Sequence, residues 1–225
     1  MKDEQTMRPF EGIRVLDITH VLAAPFATYQ LAVFGADVIR IENPHEPDQT
    51  RTDGSDPALS AEKIGTHFII QNGGKRSLTL DLKTPAGREV LRRLVPTADV
   101  LVENFRPGAM KALGLGYEDL RELNPRLIYA SMSAFGQDGP RGGQTGYDQV
   151  IQAVSGLMMV NGTADIVPMK VGTPAVDYAT GTMGAFAIAS ALLQRERTGR
   201  GQYIDLSMLD TALMLLGAHL TNYSR

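Results

Sequence analysis

The chain has 225 residues, a formal charge of −3, and neither cysteine nor tryptophan. That length suffices for one large domain or two small ones with a real hydrophobic core. The lack of cysteine excludes disulfides, Cys-ligated zinc, iron–sulfur clusters and a thiol nucleophile. The charge gives no broad attraction to nucleic acid or to an anionic membrane, so neither is expected as a partner.

Residues 13–18 are a short apolar run bounded by Gly12 and Thr19-His20, which predicts a buried strand. A helix is expected over 23–34, with Pro25 tolerated in its first turn and Gly35 closing it. Residues 37–41 are the next strand, ended by Glu42-Asn43-Pro44. Strand, helix and strand in this order mark a parallel pair with a right-handed crossover. Residues 45–64 are polar, contain Pro47 and Pro57, and read as a surface excursion. Leu78, Leu80 and Leu82 alternate, which predicts a strand over 77–82. Thr84 then serves as N-cap and Pro85 as first residue of a helix with Val90, Leu91 and Leu94 at helical spacing. Strands follow over 98–102 and 127–132, separated by short helices over 107–113 and 117–123. Five glycines and a proline within 136–146 mark a loop. The second half reads as a helix over 147–160, an extended stretch over 167–171 and a long helix over 179–197 closed by Gly199. A strand over 202–206 and an amphipathic helix over 207–220 end the pattern. Strands alternating with helices make an open, doubly wound α/β sheet the expected fold.

No stretch has the roughly 18 unbroken apolar residues of a membrane helix. The nearest, 179–193, is broken by Gly and Thr and runs into Gln194-Arg195-Glu196-Arg197. The first five residues carry no apolar segment, so no secretory signal is predicted and a cytoplasmic protein is expected. The turn from Thr19 to Pro25 lacks the Gly-x-Gly-x-x-Gly of ordinary dinucleotide-binding domains. Walker A, Gly-x-Ser-x-Gly and His-Glu-x-x-His patterns are also missing. His20, His45, His67 and His219 stand at no metal-ligand spacing, so no metal is expected.

Polar residues gather instead at strand ends, where open parallel sheets bind ligands. Thr19-His20, Asn104 to Gly108 and Ser131 to Gly136 are expected to converge on one rim. Lys75, Arg76, Lys83 and Arg106 either supply charge for an anion such as a nucleotide phosphate or are simply solvated. Asp177 lies between an apolar segment and a helix rich in small residues. Its position favours a helix N-cap whose anion the dipole stabilises. The alternative is a reactive carboxylate, since Ala179, Gly181 and Gly184 let a ligand come close.

Several of these segments, in order, resemble the class III CoA-transferases, a group that includes formyl-CoA and carnitine CoA-transferases and the related α-methylacyl-CoA racemases. The matching stretches are 12–17, 34–42, 75–87, 99–108, 123–128 and 197–202. The resemblance covers nearly the whole chain. It implies a Rossmann-like open parallel sheet with flanking helices, here the CoA-binding large domain over 1–225, with the family's second, smaller domain missing. It implies CoA transfer from an acyl-CoA to a carboxylic acid, with Asp177 as the nucleophile and coenzyme A entering as acyl-CoA. The CoA-lining positions it implies are Leu22, Ala23, Leu80, Asp81, Leu82, Lys83, Asn104, Phe105, Arg106, Thr145, Gly146, Tyr147 and Asp148. Two positions depart from the pattern: Asn43 and Ala112 stand where the family can place a basic residue. A racemase would carry His at position 147, and this chain has Tyr147, a poor base at neutral pH. The resemblance also implies an intertwined homodimer in the full-length form. A non-catalytic CoA-binding or dimerisation fragment is the remaining alternative, and the isolated chain is expected to be nearly inactive.

Overall fold

A computed structural model of the chain describes residues 7–223; the first five residues, read above for a targeting signal, lie outside them. The strands are β1 (Arg14–Ile18), β2 (Asp37–Glu42), β3 (Arg76–Thr79), β4 (Val100–Glu103), β5 (Ile128–Ser133) and β6 (Tyr203–Ser207). The helices are α1 (Ala23–Val33), α2 (Pro57–Ala61), α3 (Thr66–Asn72), α4 (Pro85–Leu94), α5 (Ala109–Ala112) and α6 (Tyr117–Arg121). They continue with α7 (Asp148–Val154), α8 (Leu157–Val160), α9 (Ala175–Thr198), α10 (Met208–Leu215) and α11 (Gly217–Tyr223). The six strands form one parallel sheet in the order β3-β2-β1-β4-β5-β6. The chain works outward from β1 on one side, then returns to β4 on the other. The order therefore reverses between β1 and β4, and a crevice opens there beyond the strand C-termini.

Both faces of the sheet are covered, which explains why the central strands are continuous apolar runs. On one face Val15, Val100, Val102, Ile128 and Met132 pack against Ala24, Ala27 and Leu31 of α1 and Ile188, Ala191 and Leu192 of α9. On the other, Leu16, Ile18, Leu101 and Tyr129 meet Leu91, Met110 and Leu120. α1 and α9 approach closely because Gly181 has no side chain: a Cβ there would stand 2.5 Å from the Ala23 carbonyl oxygen. This approach sets Asp177, one turn earlier on α9, beside the start of α1.

α9 is 24 residues long and, by length and composition alone, apolar enough to cross a membrane. The sequence reading counted only 179–193 and fell short of that length. Here Val176, Gly181, Gly184, Ile188 and Ala191 are buried against the rest of the domain.

The expected open sheet is present, and several elements differ in extent. β3 is shorter than 77–82, because the chain turns at Leu80–Lys83, although Leu78, Leu80 and Leu82 do share the second core. Thr84 caps α4 through Gly87 N–H (3.0 Å), as expected, but Val90 is exposed. The excursion over 45–64 is more than surface: Asp48 and Thr50 are buried and a 3₁₀ helix runs over Gln49–Thr52. The helix expected over 147–160 divides into α7 and α8 at Gly156, whose φ of +85° ends the first. The last helix likewise divides into α10 and α11. Residues 167–171 form no strand. α9 begins at Ala175, four residues earlier than expected, behind Pro174 at its N-cap.

Candidate functional site

Two adjoining cavities open beyond the C-terminal ends of β1, β2, β4 and β5. The first, about 370 Å³, is lined by His20 to Ala24, Asn104 to Pro107, Met132 to Ala134, Gln144 to Tyr147, Val150, Asp177 and Met208. The second, about 880 Å³, is lined by Thr19, Ile41 to Asn43, Glu46 to Gln49, Leu80, Leu82, Lys83, Ala109, Ala112 and Leu113, among others. His20, Phe105 and Arg106 line both. The His20 and Phe105 rings lie 5.6 Å apart, centroid to centroid, where the cavities meet. Burial lowers the pKa of His20, so its imidazole is neutral at pH 7.

The β1–α1 turn is pinned to the β4 loop. Asn104 accepts the His20 N–H (2.9 Å) and donates to the His20 carbonyl (2.8 Å). Beyond it, α1 starts without a cap. Leu22 offers no capping side chain, the first turn has no acidic residue, and the N–H groups of Leu22, Ala23 and Ala24 have no partner among the described residues. All three residues line the first cavity. Such an end is electropositive and suited to an anion.

Asp177 lies in the first turn of α9 but does not cap it. Asp148, buried on α7, takes that role: its Oδ2 accepts the N–H groups of Val176 (2.8 Å) and Asp177 (3.0 Å), and Gln152 donates to its Oδ1. Gln152 in turn accepts the Val171 N–H (2.8 Å), so α7 fixes the approach to α9. The cap role favoured for Asp177 is thus overturned, because a distant carboxylate already fills it. The Asp177 carboxylate accepts no hydrogen bond from the described residues. Burial, and then the charge of Asp148, push its pKa up to about 7. It is therefore a half-buried, unpaired and unusually basic carboxylate on a cavity wall.

A second raised carboxylate underlies the partition. Burial pushes Glu103 up to about 7, although it accepts bonds from Ser131 Oγ and the Phe105 N–H (2.8 Å). Its hold on the Phe105 backbone fixes the residue that separates the cavities.

The expected site residues divide clearly. Leu22, Ala23, Asn104, Phe105, Arg106, Thr145, Gly146, Tyr147 and Asp177 come together around the first cavity. Leu80, Leu82 and Lys83 line the second. Asp81 and Asp148 line neither: Asp81 closes its own turn onto the Lys83 N–H (2.9 Å), and Asp148 is spent on α9. Of the four candidate cations, Arg106 is exposed and unpaired among the described residues, and Lys83 is exposed but paired with Glu46 (2.6 Å). Arg76 lies at the opposite end of the strands, paired with Asp37. Lys75 is buried against Asp17 (2.8 Å), Thr28 and the Pro25 carbonyl, and burial pushes its pKa down to about 8. Neither Arg76 nor Lys75 is free for a ligand. Ser133 lies in the Ser131 to Gly136 stretch expected at the rim and lines the first cavity; Asp48 and Met208 were not singled out in the sequence, reach the site through tertiary folding and are marked by no local pattern. Among the described residues no cluster of His, Asp and Glu side chains could hold a metal ion.

The profile of CoA-transferase family III matches residues 10–225. Succinate–glutarate CoA-transferase of Agrobacterium fabrum is 44% identical over 218 residues, covering 96% of this chain and 54% of the relative. Acetyl-CoA:oxalate CoA-transferase of Acetobacter aceti is 47% identical over 209 residues, covering 92% and 53%. The crystal structure of a CAIB/BAIF family protein from Brucella suis superposes with a TM-score of 0.89 at 40% identity, covering 96% of this chain and 57% of that one. The chain thus spans about half the length of the curated relatives it matches. With the profile matching nearly all of its residues, this chain belongs to CoA-transferase family III.

Proposed function

We propose that this chain is the CoA-binding large domain of a CoA-transferase that moves CoA from an acyl-CoA to a carboxylic acid through Asp177. The observation that carries this reading is the unpaired Asp177 carboxylate facing the same cavity as the uncapped start of α1. In the first step an Asp177 oxygen attacks the thioester carbonyl carbon. The C–S bond breaks, giving a mixed anhydride and a CoA thiolate. The thiolate then attacks the Asp177 carbonyl carbon and expels the donor acid as a carboxylate, leaving an aspartyl-CoA thioester. An acceptor carboxylate attacks that thioester and the steps reverse, regenerating Asp177. Each step exchanges one anion for another, so no proton is transferred.

The free N–H groups of Leu22, Ala23 and Ala24 suit the tetrahedral oxyanions of these steps. Water must be kept out while the anhydride exists, and Met132, Val150 and Met208 supply apolar wall. The second cavity has room for the nucleotide end of CoA, with Arg106 at the shared mouth and Lys83 on the wall for phosphates. The first cavity suits a short acyl group. The relatives named above act on succinate, glutarate, oxalate and acetyl-CoA, so short acids of this class are the substrates to try first.

The whole protein acts, in this reading, as a cytoplasmic homodimer. Phe186 and Leu193 of α9 and Met214 and Leu215 of α10 are exposed apolar side chains suited to that contact. Racemisation gains no support, since Tyr147 is the residue exposed at the first cavity where a His base is required.

The test is intact-mass and peptide-mass analysis after quenching the protein with succinyl-, oxalyl- or acetyl-CoA. A hydroxylamine-sensitive mass on the peptide holding Asp177, lost in Asp177→Ala, is the expected result. Solvent deuterium entering the α-carbon without any adduct would overturn the reading.

A further inference from the structure

The turn between β1 and α1 is held by side chains from three stretches of chain. Thr19 N–H donates to Asp17 Oδ1 (3.1 Å), His20 N–H to Asn104 Oδ1 (2.9 Å) and Val21 N–H to Asp48 Oδ2 (3.0 Å). Val21 has a φ of +68°, in the left-handed region that β-branched residues avoid. A strained residue persists only where its surroundings enforce it. Here it immediately precedes the three free amides of α1.

We propose that Asp48 is a positioning residue, whose Oδ2 holds Val21 in its left-handed conformation and so aims the Leu22, Ala23 and Ala24 amides into the first cavity. The carboxylate divides its work between two tasks. Oδ1 accepts the Thr50 N–H (2.9 Å) and Thr50 Oγ1 (2.8 Å), closing its own local turn. Oδ2 takes the Val21 N–H and Arg40 Nη2 (2.5 Å). The Arg40 guanidinium, itself buried between Asp17, Glu42 and Asp48, balances the buried charge. The consequence for reaction rests on the transferase reading, in which those amides face the thioester; the consequence for backbone shape does not.

Asp48→Asn separates the two tasks. Its remaining oxygen still serves Thr50, while its NH₂ group faces two donors, Val21 N–H and Arg40. The expected crystal structure of this variant shows Val21 at negative φ, and calorimetry with acetyl-CoA, whose thioester carbonyl those amides face, gives an affinity weaker by about tenfold. Adding Val21→Gly restores the positive φ without a strut, because glycine adopts it freely, and recovers most of the lost affinity. Val21 unmoved at positive φ with unchanged affinity, or a double variant no better than Asp48→Asn, would overturn the proposal. If the parent chain does not bind acetyl-CoA, the transferase reading fails, and the φ of Val21 still decides the role of Asp48. Should Asp48→Asn not fold, Asp48→Asn/Arg40→Met removes both charges and is read the same way; failure of both to fold would make Asp48 a folding determinant and reject the positioning role.

Discussion

The two helices that meet above the sheet reversal begin in opposite ways. α9 starts with its amides occupied: Asp148 accepts the Val176 and Asp177 N–H groups. α1 starts with its amides empty and no acidic residue in its first turn. A helix N-terminus can stabilise one carboxylate well. On α9 that carboxylate is Asp148, so Asp177 in the same turn receives the helix without the benefit and the neighbouring charge as a penalty. Its proton is consequently held up to about pH 7. On α1 the stabilisation is unspent and available to a charge that arises during reaction. In the proposed reaction, one helix start makes a carboxylate basic enough to attack, and the other offers a seat for the oxyanion that the attack creates.

Removing the basic carboxylate breaks the comparison most severely. Asp177→Asn is expected to lower CoA transfer by the whole protein about 10³-fold or more, measured as turnover with the best acyl-CoA pair. The same variant has a signature in stability. A carboxyl whose folded pKa is raised binds its proton more tightly folded than unfolded, so stability falls as pH rises from about 3.8 to about 7. Asp177→Asn removes that loss, and its melting temperature is expected to exceed that of the parent by a few degrees at pH 8 and to match it near pH 4.

Filling the empty helix start is the next largest change. Leu22→Asp supplies the missing cap and is expected to stabilise α1 by about 0.5–1 kcal/mol. Its carboxylate occupies the seat meant for the oxyanion, and transfer falls about 10²-fold. A rise in melting temperature together with a fall in kcat distinguishes this from simple misfolding.

Forcing the two helices apart tests their closeness. Gly181→Ala sets a methyl 2.5 Å from the Ala23 carbonyl oxygen, and a loss of about 1–3 kcal/mol is expected in urea unfolding. The smallest effect on transfer is that of Asp148→Asn: its oxygen still accepts both amides while the charge disappears, and its NH₂ group meets the Gln152 amide group that Asp148 Oδ1 had accepted. The acidic limb of the pH–rate profile then moves to lower pH. It does not return to the ordinary value of 3.8, since burial is the larger cause of the shift.

These helix starts also mark how far the sequence could be read. The β1–α1–β2 unit is legible because its signals are local: an apolar run, Pro25 in a first turn, Gly35 after the last. Thr84-Pro85 and Gly199 are legible for the same reason. Asp177 was misread as a cap because the group that caps α9 lies 29 residues earlier in the chain, and only folding brings it there. Lys75 read as a cation either for an anionic ligand or for solvent, and its actual partner Asp17 lies 58 residues away. β3 ended early because alternating leucines serve a turn packed on the core as well as they serve a strand. The reactive role proposed for Asp177 came from family resemblance, since no local pattern distinguishes a basic carboxylate from an ordinary one.

The central claim is that Asp177 is an unpaired carboxylate made basic by burial and by Asp148. The most direct measurement is a ¹³C NMR titration of the Asp177 carboxyl in the 225-residue chain, assigned by its loss in Asp177→Asn. A midpoint near pH 7 is the predicted result. A midpoint near 4, the value of an ordinary solvated aspartate, would contradict the account.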